Sequence, residues 1–353
     1  MNDSAPGILA DRAEYLIATA ARAPSVHNTQ PWRFRVGAAA IELYCDPRRK
    51  LRVDPAGREM LVSCGAALFG LRLAIRSLGY RPVVELLPDP DRLRLLARVT
   101  AGEAEPMTVM EREMLKAVPH RHTHRGAFAP GPLPAGLMAG LQHDARAEGA
   151  TLALVDPGRA YAQLASIVNA SGRRLDLDPR ARAEVRRWSR AIGSSARDGI
   201  PAHAFPATDG FPATAGSPPT AGFPATADSP ATADRSAGRR GGRLRQRDFD
   251  QGRGLGRLDP DGTALAVTAV LLTNGDGRAD WLRAGQALHR LLLHAATRWV
   301  FASLYTQPLE AAVIRALIRD RLALPGAPQM LMQLGLARTT HATARRAPGE
   351  VIT

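Results

Sequence analysis

Lysine is almost absent from this sequence: of 47 lysine and arginine side chains in 353 residues, only Lys50 and Lys116 are lysines. The formal charge of +14 is therefore an arginine charge, and the arginines are scattered along nearly the whole chain instead of forming one stripe with interleaved aromatics. Dispersed charge supplies little of the local phosphate neutralisation that nucleic acids require, so no nucleic-acid partner is expected. The Arg-for-Lys, Ala-rich bias has the look of GC-rich coding sequence. Cysteine is equally scarce. Cys45 and Cys64 are too few for a disulfide framework or a multi-thiolate metal site, and both read as structural.

Long uncharged apolar runs are missing too. Even the segment after Trp281 is broken by Arg283, His289 and Arg290, so no stretch is expected to provide the roughly 18–20 apolar residues of a membrane span. The opening MNDSAPGILADRAEYL has no basic segment leading into an apolar one; no secretory signal is read, and a cytoplasmic location is expected. Ser-His-Asp spacing, a Walker loop and HExxH are all lacking, which leaves hydrolase and kinase classes without support.

What is present is 45% hydrophobic residues, enough for two core-forming segments of α+β character. Helical spacing of Leu9, Ala13, Leu16, Ile17 and Ala20 predicts a helix over 8–22, stopped by Pro24 and Ser25. Strands are expected at 32–36 and 40–45, then a long helix over 59–78 capped by Gly79, then strands at 83–87 and 93–99. A second cycle begins near Thr108 with a helix and the basic segment PHRHTHRGAF (119–128). It continues with helices over 134–148, 158–172 and 180–191, strands at 151–155 and 264–273, helices over 280–303 and 309–322, and a strand at 330–336. These cycles divide the chain into an N-terminal half, 1–105, and a C-terminal half, 106–353, interrupted at about 200–260. Within that interruption, residues 205–234 are five hexapeptide units, each carrying proline, which denies ladder hydrogen bonds; the segment is expected to be disordered. GRGLG follows, but no strand leads into it and no helix opens from it, so it is not a dinucleotide fingerprint.

Two polar segments stand out. In APSVHNTQPWRF (23–34), Asn28 and Gln30 carry amides, which donate and accept at once, and Pro31 biases Gln30 toward extended backbone. Trp32 and Phe34 alternate with Arg33 and Arg35, placing both aromatics on one strand face in the core. On composition alone this is a polar turn between helix and strand. In PHRHTHRGAF, His120, His122 and His124 alternate, yet no acid or cysteine lies nearby to complete a metal site. Arg121 and Arg125 would repel a cation, so the segment reads as an anion site and no metal is expected.

APSVHNTQPWRF resembles the APSxxNxQPWxF segment of nitroreductase-like FMN-binding proteins, and RHTHRGAF resembles the RxSxR-x-F segment with which that family holds the FMN phosphate. The resemblance implies that Asn28 and Gln30 contact the flavin ring edge. Ser25 and Pro24 then shape the loop, Thr29 offers a backbone contact, and Pro31 and Trp32 complete the motif. It also implies that Arg121, His122, Thr123 and Arg125 meet the phosphate, with Arg345, Arg346 and Pro348 forming a basic C-terminal segment that completes the pocket or is a solvated tail. Ordinary members build each flavin site from two subunits and carry the phosphate motif first. Here the order is reversed, and each half has one motif, so two related halves fused as a single-chain pseudo-dimer with one flavin are expected. Together with ELYCDP, DPAGREMLVSCGAALFGLR, DWLRAGQALHRLLL, QPLE and PQMLMQLG, the pattern is similar to the Acg-like subgroup. In AATRWVFASLYTQPLE (295–310), Trp299, Val300 and Phe301 are either ordinary core at a helix end or bulky residues that restrict access to the ring.

By resemblance, then, the expected activity is NAD(P)H-dependent, with hydride passing through FMN to a small-molecule acceptor, nitroaromatic or quinone. The alternative is an FMN-sequestering protein covered by the 195–260 segment, and a third reading is a nucleic-acid binder that has lost the flavin. No catalytic side chain is required, no membrane partner is expected, and monomer and homodimer both remain open.

Overall fold

The computed structural model describes residues 7–126, 128–204, 244, 266–337 and 343–353. The hexapeptide repeats, the GRGLG string and nearly all of the expected disordered insert lie outside the described residues; regular structure runs through Ala204.

Short helices α1 (Ile8–Asp11) and α2 (Ala13–Ala21) lead to a hairpin of β1 (Trp32–Val36) and β2 (Ala40–Cys45), closed where Gly37 N–H donates to Ala40 O at 2.8 Å. The long helix α3 (Arg58–Ser77) follows, then β3 (Tyr80–Leu86) and β4 (Leu95–Ala104), giving an antiparallel sheet in the order β1-β2-β4-β3. Strand β3 alternates between half-buried and exposed positions, as a strand does when one sheet face meets water.

The second half opens with α4 (Val109–Ala117), whose capping box pairs Thr108 with Glu111. Next come α5 (Leu137–Ala147), β5 (Thr151–Leu154), α6 (Arg159–Leu177) and α7 (Pro179–Trp188), with the two-residue strands β6 (Ser189–Arg190) and β7 (Ile200–Pro201). After the undescribed stretch come β8 (Val267–Thr273), α8 (Arg278–Ala296), β9 (Val300–Tyr305), α9 (Ala312–Arg321), β10 (Ala327–Leu336) and α10 (Pro348–Val351). This sheet is also antiparallel, in the order β5-β8-β10-β9. Both sheets thus share one connectivity, a central helix joining the second strand to the third, and a helix precedes the first strand in each half. The fold is α+β.

Strand β8, VTAVLLT, is buried on both faces: Ala269 and Leu271 pack toward α8, and Val270 and Leu272 toward α6 and α9. A near-continuous apolar run is what two-sided burial demands. The second half therefore carries helices on its outer face that the first half lacks.

Two expectations need correction. Helix α8 ends at Ala296, not at 303, because Trp299 takes a left-handed φ of 55° and the β-branched and aromatic run Val300–Tyr305 pairs with β10; a short apolar run fits helix and strand periods alike. Helix α3 is long and apolar enough to cross a membrane by length and composition, yet nearly all of it is buried in the core. Its burial has a backbone cause. A Cβ on Gly65 would lie 2.2 Å from Leu282 O, and one on Gly285 only 2.0 Å from Val62 O, so α3 and α8 touch main chain to main chain.

Candidate functional site

Between α2 and β1 the chain leaves the helix at Arg22, and Ser25 is extended (φ −143°, ψ 152°). His27 (φ 47°), Asn28 (φ 54°) and Gln30 (φ 48°) are then left-handed, three non-glycine residues within four positions. Such backbone costs on the order of 1 kcal/mol or more per residue and persists only where surrounding bonds hold it. Against the extended backbone expected before Pro31, Gln30 is held in place from three sides. Its backbone N–H donates to Ser25 Oγ at 3.0 Å and its Nε2 to Arg197 O at 2.7 Å, while its Oε1 accepts from Arg346 N–H at 2.8 Å. Asn28 Nδ2 donates to Gly199 O at 3.0 Å and to Ala344 O at 3.1 Å.

Behind this loop, Pro24, Ser25, Asn28, Arg121, Thr123, Arg125, Ile200, Thr343 and Arg345 enclose a small pocket. Thr123 is placed there by a bridge to Ala302 on β9, reinforced by His124 N–H donating to Ala302 O at 2.9 Å. Arg121 is buried and donates from Nη2 to Arg22 O at 3.2 Å, leaving Nε and Nη1 buried without partners among the described residues. Arg345 donates to the Thr343, Ala344 and Ala23 carbonyls, and its Nε likewise has no partner among the described residues. Neither guanidinium meets a carboxylate within 4 Å among the described residues. Burial, with Arg22 and Arg125 alongside, pushes Arg121 down to about 10, and burial brings Arg125 to about 10 as well. Burial, with Arg121, Arg22 and Arg125 facing it, holds Arg345 well below the usual guanidinium range. Arginine does not give up its proton, so the low values of Arg121 and Arg345 reflect positive charge held in a buried setting beside other arginines, which an anion would relieve.

The pocket opens into a wider slot of about 970 Å³, its mouth included, with Pro24, Ser25, Thr123, Arg125 and Ile200 shared between the two. One wall is the motif loop, a second is the first two turns of α3 with Arg58, Glu59, Val62 and Ser63, and a third runs along Leu304–Pro308 with Gln329 and Met330. At the far end, the buried Arg58 donates to Gln329 O at 2.8 Å and to Glu59 Oε1 at 3.2 Å. Asp54 caps this end of α3, accepting from Met60 N–H at 3.1 Å. The mixture of apolar walls and a few convergent polar groups is that of a small-molecule site.

Of the residues singled out by sequence, Ser25, Asn28, Thr123, Arg125, Arg121 and Arg345 come together around the pocket. Thr29, Gln30, Pro31, Trp32 and Arg346 lie behind the loop. Trp32 is fully buried in the first core, Thr29 O accepts from Arg49 Nη1 at 2.8 Å, and Pro31 O accepts from Asp46 N–H at 2.8 Å. His122 is buried against Phe301, ring centroids 4.4 Å apart, and His124 stacks on Phe128 at 4.8 Å. Val300 and Phe301 are buried core, as one reading of this segment had it, whereas Trp299 is exposed; none of the three is among the residues that line the slot. Arg58, Glu59 and Gln329 escaped sequence reading because a charged pair in a first helical turn ordinarily means a solvated helix start. Ile200 sits beyond the point where disorder was expected.

A pocket lined by Arg121, Arg125 and Arg345 thus adjoins a partly apolar slot. No family model matches the chain. Among curated proteins it is 33% identical over 336 residues, 93% of this chain and 86% of the relative, to the Mycobacterium tuberculosis protein named "Putative NAD(P)H nitroreductase Rv3131". It is 28% identical over 350 residues, 98% of this chain and 96% of the relative, to "Putative NAD(P)H nitroreductase acg" of the same organism. The chain belongs to the nitroreductase family, in the group that includes Acg.

Proposed function

We propose that the chain is an FMN-dependent NAD(P)H oxidoreductase whose small pocket receives the FMN phosphate and whose slot receives the flavin ring. The observation that carries this reading is the set of buried guanidinium N–H groups on Arg121 and Arg345 that have no partner among the described residues. Charge-assisted, planar arginine donors match phosphate oxygens. Arg125 and Thr123 would add to the phosphate cradle, and Arg58, Glu59 and Gln329 would face the ligand from the slot's far end. When bound, FMN supplies hydride chemistry, accepting from NAD(P)H and reducing a nitroaromatic or quinone. The protein's share is to hold, orient and exclude water.

The matching strand order of the two sheets supports a fused pair of related halves, with one flavin per chain. We place the protein in the cytoplasm, as monomer or homodimer, with neither nucleic acid nor membrane as partner.

A second reading, FMN sequestration with little turnover, is favoured by Ile200, which comes from the segment after α7 and walls both cavities. Purification from a flavin-replete host tests both. A yellow protein releasing FMN on denaturation is the expected result, and a colourless one that cannot be reconstituted would sink both. Anaerobic NADPH then separates them: bleaching of the bound flavin supports the oxidoreductase, and persistent oxidised flavin supports storage.

A further inference from the structure

The small pocket is not closed by one continuous piece of chain. Two of its walls come from segments with their own anchors, the strap 189–204 and the C-terminal stretch 343–353. The C-terminal stretch is pinned by Val351, fully buried in the first core, and by Thr353 N–H donating to Phe34 O at 2.8 Å; Arg345 projects from it into the pocket. The strap is pinned by Asp198, which meets Arg190 at 2.6 Å and Arg49 at 2.9 Å, and it delivers Ile200. Two side chains of the motif loop join the two. Asn28 uses both N–H groups of its amide, one on Gly199 O of the strap and one on Ala344 O of the C-terminal stretch, and Gln30 donates from Nε2 to Arg197 O of the strap while its Oε1 accepts from Arg346 N–H of the C-terminal stretch.

Against this closure stand Arg22, Arg121, Arg125 and Arg345, like charges gathered in a space where Arg121 and Arg345 meet no carboxylate among the described residues. Docking the C-terminal stretch brings Arg345 into that group. Repulsion in a low-dielectric pocket opposes docking until an anion enters, and an anion that bonds Arg121 and Arg345 together reverses the sign. By linkage, whatever binds only the closed form favours closure.

We propose that a phosphate group by itself, flavin-linked or free, docks the C-terminal stretch and the strap as one coupled unit, with Asn28 and Gln30 as the positioning residues that make the two closures inseparable. The proposal concerns the pocket assigned above to the FMN phosphate, but the trigger it names is the anion, not the ring.

Hydrogen exchange on the full-length, flavin-free protein tests this, with inorganic phosphate as the probe and a chloride salt of equal ionic strength as control. Phosphate is expected to slow amide exchange roughly tenfold or more in both 189–204 and 343–353, at one shared midpoint concentration. The conservative variant Arg345→Gln should remove that response in both segments, and the double variant Asn28→Ala, Gln30→Ala should leave phosphate protection in 343–353 while the strap no longer follows it. If either variant fails to fold, the wild-type titration decides alone. Unchanged exchange at phosphate concentrations that saturate binding by calorimetry would overturn the proposal, as would the absence of phosphate binding or separate midpoints for the two segments. Riboflavin, which lacks the phosphate, distinguishes the readings. Closure by riboflavin but not by phosphate overturns this proposal and leaves the flavin assignment standing; closure by phosphate in a protein that never retains FMN supports it while the flavin assignment falls.

Discussion

Arg121 illustrates how a single side chain can serve binding at the expense of the empty protein. Its guanidinium is buried beside Arg22 and Arg125 with two donor atoms that have no partner among the described residues, so Arg121→Leu should act with opposite signs on two observables. FMN affinity should fall by at least about tenfold, as loss of a charge-assisted bond to phosphate predicts. The unfolding midpoint of the flavin-free protein, measured without phosphate in the buffer, should rise by roughly 2 °C or more because an uncompensated buried charge is gone. A lower midpoint would show that the charge is already balanced. Arg121, Thr123, Arg125 and Arg345 were picked out by resemblance to the family's basic segments, with Arg345 left open as a solvated tail, and the structure brings all four around one pocket. Asn28 and Gln30 were legible as amides only. Which way an amide points depends on partners such as Arg197, Gly199 and Ala344, far along the chain, and no local pattern encodes them.

Elements were read most securely where one period dominates, as in α3 or in the hairpin β1–β2, and least where a short apolar run suits either class, as in Val300–Tyr305. The seam between α3 and α8 holds a second such lesson in His289. Its Nδ1 lies 2.7 Å from Ala66 O, which only accepts, so Nδ1 carries the proton there. Burial first, then Arg121 and Arg345, push its pKa down to about 3 from an ordinary 6.5. The unfolded chain therefore binds a proton below about pH 6.5 that the folded chain refuses until about 3. Stability is complete above the upper value and declines as pH falls through that window, by up to about 1.4 kcal/mol per pH unit. His289→Gln should flatten the decline, as chemical denaturation at pH 7, 6, 5 and 4 would reveal; an unchanged slope would assign it to other groups. On the same seam, Gly65→Ala should cost about 3 kcal/mol or more, because its new methyl would meet the Leu282 carbonyl, which a buried helix cannot withdraw. Solubility and denaturation midpoint report that loss.

At the scale of the molecule, α+β character and the repeated cycle could be read from composition and spacing. The shared strand order could not, because pairing between strands such as β4 and β2 joins residues with no sequence signal for each other. Loaded protein should contain one FMN per chain. Absorbance of released flavin against protein concentration measures this, and a ratio near two would mean that the half lacking the motif loop also holds a complete site.

The bare contact of Gly65 with Gly285 reaches beyond local packing. Each central helix carries a glycine where the other helix's backbone presses against it, so either half alone would expose that bare stretch of peptide to water. Severed near residue 106 and made separately, the halves should be insoluble apart and recover a folded heterodimer when produced together. Whatever the ancestry of the two halves, the seam now binds their fates. A change tolerated in one helix must be tolerated by its twin, and drift on either side of that contact is drift for both.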